Sequence, residues 1–300
     1  MSVQYVQHRH VVHHESAEVI STNLCDDFAT MHLSAPQIAA AARPGQFISV
    51  LCPRHDRPLE VFDSANDWAM RFRAQRASAP GLGPLLRRPI SIHDAAADRI
   101  CILFKLVGRG THMLAGLKPG TRLDALGPMG NGFDLDGEFR TALLVGGGAG
   151  IAPLPFLARR LQQAGKTLVV VLGARRKPPV SPHLFSALGA TVHVASEAPI
   201  QGAYHGLCTD LVESVLSTIH LEQPRAFACG PAPMLRRVAS LCSTASVPLQ
   251  VSLEQRMGCA LGACMACVVQ VFGPHGLSRP VRVCTEGPVF DSQKVDWNAT

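Results

Sequence analysis

Along residues 1–137, apolar and polar positions alternate over short runs rich in β-branched and aromatic residues, as in "YVQHRHVVHH", "GQFISVL", "RPISIH" and "RICILFKLV". The runs are divided by the turn sequences "RPGQ", "KPGT" and "LGPMGNG". A period of two bounded by Gly and Pro predicts an antiparallel barrel or sandwich. Residues 54–83 break the pattern, being polar and then rich in Pro and Gly; they read as an inserted surface loop with a short helix around "SANDWAMRFRAQ". From 138 to 250 the rhythm changes to strand–helix alternation. "TALLVGGG" runs into a glycine turn, and "APLPFLARRLQQAG" follows with Leu154, Leu157 and Leu161 at helical spacing. "TLVVVLGAR" is apolar throughout, as a strand buried on both faces must be. "ATVHVASE", "CTDLVESVLSTI", "RAFACG" and "PAPMLRRVASLCS" continue the alternation, which predicts a parallel sheet with helices on both faces. Residues 251–300 form a short tail of different character, and no tandem repeat interrupts the chain.

The 300 residues, 47% hydrophobic and 17% charged, suit two domains and an appendage with real cores. A formal net charge of +6 favours anionic small ligands, while the lack of a long Lys/Arg run argues against nucleic acid. Residues 141–158 carry no charge, yet four glycines and two prolines make them a strand–turn–helix rather than a membrane span. With no apolar block near the start, the expectation is a cytoplasmic protein.

Ten cysteines then call for explanation. Cys25, Cys52, Cys101, Cys208 and Cys242 are scattered and read as small buried apolar residues. Cys259, Cys264, Cys267 and Cys284 are different: the pattern C-x4-C-x2-C, sixteen residues, C is the plant-type [2Fe–2S] spacing. The residues between them, Gly258, Ala260, Leu261, Gly262, Ala263, Met265 and Ala266, are mostly small, so backbone N–H groups can approach sulfur, and the rest are apolar. Structural zinc, which prefers paired C-x2-C knuckles, and free thiols are the competing readings.

Gly146, Gly147, Gly148 and Gly150 follow a strand and open a helix, which aims backbone N–H groups at a phosphate. The run is not the G-x-G-x-x-G fingerprint, and a tight turn without ligand explains it nearly as well. A second strand–helix turn, "CGPAPM" with Cys229, Gly230, Pro231 and Met234, belongs at the same carboxyl edge of a parallel sheet, where ligands bind. There Cys229 either faces a nicotinamide or is a buried small thiol. Nicotinamides exchange electron pairs and a [2Fe–2S] cluster passes single electrons, so a chain holding both needs a flavin between them. "RRPISI" is the candidate flavin strand: Arg88 for the phosphate, Pro89 to fix the chain, Ser91 for the ring. "GRGTHML", with Gly110 and Thr111, offers a second backbone anion site. For Arg88 the bland alternative is a surface arginine before a strand.

Taken in order, "RRPISI", "VGRGTHML", "LGPMGNGF", "GGGAGIAPL", "CGPAPMLRRVA", "EQRMGCALGACMACVV" and "RVCTEGPVF" closely resemble the electron-transfer subunits of class 1B dihydroorotate dehydrogenases, within the ferredoxin–NADP⁺ reductase-like flavoproteins. The resemblance spans nearly the whole chain except 54–83. It implies an FAD-binding barrel (1–137), a Rossmann-like NAD-binding α/β domain (138–250) and a [2Fe–2S] module (251–300). FAD contacts are implied at Arg88, Pro89, Ile90 and Ser91, at Leu103, Phe104 and Lys105, and at Gly110 and Thr111; cluster ligands at Cys259, Cys264, Cys267 and Cys284. It further implies an FMN-containing catalytic partner in a heterotetramer, with electrons passing from dihydroorotate through FMN, cluster and FAD to NAD⁺. The same module serving another oxidoreductase, such as a hydrogenase or a ferredoxin–NADP⁺ transhydrogenase, is the alternative. Two departures stand out. The insertion 54–83 precedes the flavin strand, and "VASEAPIQGAYHG" (194–206) lacks the family's acidic-Gly-Ser run. "GARRK" (Gly173 to Lys177) places cations where a 2′-phosphate could sit, which is the case for NADP; a solvated basic turn is the bland reading, and NAD remains the expectation.

Overall fold

The computed structural model describes residues 11–52 and 86–299; the sequence-predicted insertion 54–83 and its helix lie outside the described residues. Six antiparallel strands close a barrel in the order β1-β2-β5-β4-β3-β6. They are β1 (His13–Cys25), β2 (Phe28–Ser34), β3 (Phe47–Leu51), β4 (Arg88–Ala96), β5 (Arg99–Lys105) and β6 (Arg122–Met129). The alternation predicted for them is met: Ile90, Ile92, Ile100, Ile102 and Phe104 all join the buried barrel core. Helix α1 (Pro36–Ala41) lies between β2 and β3, and α2 (Arg109–Ala115) follows β5. Closing the barrel removes the exposed edges an open sheet would present.

The second layer is a seven-stranded sheet. Its strands are β7 (Thr141–Gly147), β8 (Thr167–Ala174), β9 (Thr191–Ser196), β10 (Tyr204–His205), β11 (Pro224–Cys229), β12 (Leu249–Ser252) and, from the C-terminal tail, β15 (Val289–Asp291), ordered β10-β9-β8-β7-β11-β12-β15. All pairs are parallel except β12–β15. The strand order turns back between β7 and β11, so the crevice of this doubly wound sheet opens there. Helices α3 (Leu154–Gln163), α4 (Pro182–Ser186), α5 (Cys208–Thr218) and α6 (Ala232–Thr244) supply the crossovers. In α3, Leu154, Leu157 and Leu161 are fully buried against the sheet, and Gly165 ends the helix at φ +71°, a left-handed position that glycine takes without a Cβ clash. The uncharged stretch 141–158 is β7, its turn and the start of α3; among the described residues no helix is long and apolar enough to cross a membrane.

The tail adds a hairpin, β13 (Val268–Phe272) with β14 (Ser278–Arg282). Its buried face, Val269, Val271, Val281 and Val283, merges into the core beneath β7, β11 and β12. Four scattered thiols, Cys52, Cys101, Cys208 and Cys242, are buried as expected, but Cys25 is exposed: it ends β1 at a two-residue turn, beyond the reach of the barrel core.

Candidate functional site

The two predicted phosphate turns meet. Cys229 and Gly146 are partners in the β11–β7 ladder, and both strands end at the same edge. A Cβ on Gly150 would lie 2.4 Å from the Cys229 carbonyl oxygen, and one on Gly147 would lie 2.4 Å from the Met234 sulfur. Gly146 is equally confined, by Leu154 and Ile151. Gly147 and Gly150 therefore let turn pack on turn, while Gly146 makes room for the Ile151 and Leu154 side chains of its own segment. Gly148 differs: at φ +55°, it has nothing within 4 Å of a Cβ, and it is the one that faces open space. Pro231 caps the start of α6, and Gly230 lies under Met234. The Cys229 thiol is buried and accompanied by the Ser252 side chain; burial pushes it up to about 12, so it sits there as a neutral thiol. Arg175, Arg176 and Lys177 leave the end of β8 exposed, with no carboxylate partner among the described residues.

The candidate flavin segments also converge. Arg88 lays its guanidinium on Gly110, where a Cβ would stand 2.6 Å from Nε, so "RRPISI" and "GRGTHML" form one surface. Arg88 Nη1 donates to the Leu86 carbonyl (2.7 Å), and no carboxylate among the described residues neutralises it. The Thr111 hydroxyl is committed locally: it accepts from the Val107 and Gly108 N–H groups and donates to the Gly108 carbonyl, so the turn offers a ligand its backbone rather than this hydroxyl. Ile90 and Phe104 turn into the barrel core, and Leu103 packs under the α/β domain, leaving only their backbones for a cofactor. Lys105 is exposed and paired with Asp27 at 3.0 Å. Ser91, half-buried, faces Phe47 across the β3–β4 ladder, and Phe47 in turn faces Met129 of β6.

That row of neighbours leads to the cysteines. Beyond Met129, Gly130 fits against Gly287 and Pro288, and Asn131 is bound to the Glu286 carbonyl (2.8 Å) and, through its backbone N–H, to that of Gly287 (2.6 Å). Cys284 lies just upstream. In the loop that leaves β12, the Cys259 sulfur accepts N–H groups of Leu261 (3.4 Å), Ala263 (3.2 Å) and Cys264 (3.4 Å). These bonds, foremost that of Cys264, outweigh burial and lower the Cys259 thiol to about 6. Cys284 goes the other way, up to about 12, through burial and its contact with Cys267. Cys264 acts on the Cys259 thiol, and both Cys267 and Cys259 act on Cys284, so the four thiols are neighbours. Among the described residues no three His, Cys, Asp or Glu groups close on one metal position. Four neighbouring thiols at the C-x4-C-x2-C spacing suit a two-iron cluster. Ala260 (φ 60°), Gly262 (φ 83°) and Met265 (φ 58°) give the loop its tight winding.

Sequence reasoning missed the buttress of this loop. Arg282 Nη1 donates to the Gly262 carbonyl (2.9 Å), and its other nitrogens grip Glu286 (Nη2 2.8 Å, Nε 3.2 Å). Burial works against the Glu286 charge, but Arg282 and the Thr285 hydroxyl outweigh it and hold the carboxyl below its usual range. An R-x3-E spacing on a strand end gave no signal by itself.

Comparison with known proteins bears on this arrangement. Residues 254–296 match the model of the iron–sulfur cluster binding domain of dihydroorotate dehydrogenase B. The electron transfer subunit of dihydroorotate dehydrogenase B (NAD(+)) from Desulforamulus reducens is 35% identical over 273 residues, 89% of this chain and 92% of that protein. The corresponding subunit of Bacillus caldolyticus is 42% identical over 222 residues, 72% of this chain and 82% of its own length. Among solved structures, an NADH-dependent reduced ferredoxin-NADP oxidoreductase studied for flavin-based electron bifurcation superposes with a TM-score of 0.73 at 27% identity, covering 95% of this chain and 91% of that one. A cytochrome P450 reductase from Amycolatopsis shares the fold, with a TM-score of 0.58 at 19% identity over 79% of this chain and 67% of its own.

Proposed function

Since the chain belongs to the electron-transfer subunits of dihydroorotate dehydrogenase B, we propose that its residues carry electrons from the FMN of a dihydroorotate-oxidising partner to NAD⁺, in a heterotetramer of two copies of each subunit. The chain is an oxidoreductase subunit that works with FAD, a [2Fe–2S] cluster and NAD, alongside a partner catalytic subunit. One observation carries the reading: Ser91, Phe47, Met129, Gly130 and Pro288 form a continuous row from the flavin strand to the segment holding Cys284. The cluster loop itself leaves the same sheet edge as both nucleotide turns. These neighbour relations support carriers close enough to exchange electrons directly.

Each group has a fitted set of residues. Cys259, Cys264, Cys267 and Cys284 hold the two irons, and Arg282 with Glu286 fixes the loop around them. Arg88, on its Gly110 shelf, meets the FAD pyrophosphate, with the backbones of Pro89, Ile90, Leu103, Phe104 and Thr111 beside it, Lys105 at the margin and Ser91 toward the ring. Gly148, with Gly146, Gly147 and Gly150 shaping the turn, and the Gly230–Met234 turn take the dinucleotide, and neutral Cys229 borders the nicotinamide. Bound FAD supplies the exchange between paired and single electrons that neither neighbour performs. Exposed Leu261 and Met265 beside the sulfurs leave the cluster loop open to a partner.

Co-purification tests the assignment. The expected companion is an FMN protein, and the complex should couple dihydroorotate oxidation to NAD⁺ reduction. The similarity to the ferredoxin-linked oxidoreductase supports a second reading, in which the module serves a different oxidoreductase. Capture of a companion without dihydroorotate turnover would favour it.

A further inference from the structure

The two cofactor domains are joined by a polar clamp that no motif announces. Strand β4 carries the flavin candidates at its start, with Ile90 and Ile92 inside the barrel. Between Ile92 and Asp94 the pairing with β5 slips by a bulge, and Ala95 returns to the barrel core. The bulge turns two successive side chains, His93 and Asp94, out toward α3 and the turn before it. His93 finds its partner in the turn and Asp94 in α3. The buried His93 donates from Nδ1 to the Ala152 carbonyl at 2.6 Å; a carbonyl only accepts, so the tautomer is fixed. Asp94 pairs with Arg159 through Nη2 and through Nε (3.2 Å), and Arg159 Nη2 also donates to the Ala95 carbonyl (2.7 Å). Between these contacts, Phe156 of α3 is fully buried in the barrel core rather than in its own domain.

The positions of these contacts matter. His93 is two residues beyond Ser91 on the same face, about 7 Å along the strand. Ala152 is two residues beyond Gly150 in the nucleotide turn. One hydrogen bond thus ties the flavin strand to the nucleotide turn within a short reach of both. His93, Asp94 and Arg159 themselves stand on the wall of a cavity of about 670 Å³ between the domains, with Cys101, Pro155 and Val180 around it. Packing is incomplete beside the clamp, so its hydrogen bonds and the buried Phe156 keep the alignment.

We infer that His93, Asp94 and Arg159 are positioning residues that fix the nicotinamide turn against the flavin strand and thereby set the approach for hydride exchange between NADH and FAD. The inference rests on the proposed function. Hydride transfer is steep in donor–acceptor geometry, and a misplacement of about 1 Å can cost about 100-fold.

The test uses the full-length chain with Arg159→Gln, His93→Gln and the reversed pair Asp94→Arg/Arg159→Asp. In the cofactor-stripped chain, hydrogen exchange at amides 152–158 should quicken about tenfold or more in the single variants and return toward normal in the reversed pair. In the FAD-loaded chain, stopped-flow reduction by NADH should slow about tenfold or more. The isotope effect from NADH deuterated at the transferred position should rise, while FAD content, cluster content and the NADH dissociation constant stay the same. Either single variant, if folded, suffices. Unaltered reduction rate and isotope effect in a folded variant overturn the clamp. If the unmodified chain fails to reduce FAD with NADH, it is the proposed function that falls instead. Slowing that merely tracks lost FAD or weaker NADH binding also counts against positioning.

Discussion

The cluster loop and strand β4 hold their chemistry in opposite ways. Between Gly258 and Cys267 the surroundings of Cys259 are local: three N–H groups within five residues converge on its sulfur, and positive φ at Ala260, Gly262 and Met265 winds the loop, with Arg282 the brace from outside. Strand β4 does the reverse. Arg88 rests on Gly110, Ser91 faces Phe47, and the bulge sends His93 and Asp94 to a different domain. Chemistry set by spacing along the chain survives as a motif, whereas chemistry set by strand register exists only once the sheets have formed. The cluster loop should therefore fail completely when one residue changes, and β4 by degrees.

The largest effect belongs to the loop. Replacing Cys264 by Ala removes one of four ligands, and the chain should lose its cluster EPR signal entirely while retaining FAD; normal iron content in that variant would refute the ligand set. Next comes Arg88→Ala. Losing charge-assisted hydrogen bonds worth about 1.5–3 kcal/mol should weaken FAD about 10- to 100-fold, read by flavin retention on gel filtration. Flavin retained at full stoichiometry would remove Arg88 from the site. Smaller, and informative about the glycine turn, is Gly150→Ala against Gly147→Ala. The first drives a methyl into the Cys229 carbonyl, which cannot move, and should cost about 1–3 kcal/mol and raise the KM for NADH. The second meets chiefly the flexible side chain of Met234, with Pro231 Cδ at 3.3 Å, and should cost less. Equal costs would mean that turn-on-turn packing is not what demands glycine.

The smallest effect is on pH dependence. Burial holds the His93 pKa below its ordinary 6.5, against the opposing Ala152 bond and Asp94. The unfolded chain binds the proton more readily, so this contribution is complete above about pH 6.5 and is lost as pH falls toward the folded value. Urea midpoints measured from pH 7.5 to 5 should fall, and His93→Gln should flatten part of that fall. An unchanged slope would mean that His93 is not buried as a neutral ring.

Legibility followed the same division. The barrel, the parallel sheet and the helix with Leu154, Leu157 and Leu161 were readable because a period of two or of 3.6 repeats within each segment. The four cysteines were readable because their spacing is chemistry. The glycine run carried a second role that no linear pattern reveals: Gly147 and Gly150 let the turn pack on Met234 and Cys229 across β7 and β11. Arg282 with Glu286, the engaged Thr111 hydroxyl and the bulge at Ile92–Asp94 were invisible for the same reason. Cys25 showed that a short apolar thiol at a strand end need not be buried.

The central claim is that FAD stands between the nicotinamide and the iron–sulfur cluster. Anaerobic addition of NADH to the purified chain, with the cluster followed by EPR before and after flavin is stripped, addresses it most directly. The flavin-replete chain should show a reduced-cluster signal and the stripped chain none, although dithionite still reduces that cluster. Cluster reduction by NADH at an undiminished rate without flavin would contradict it.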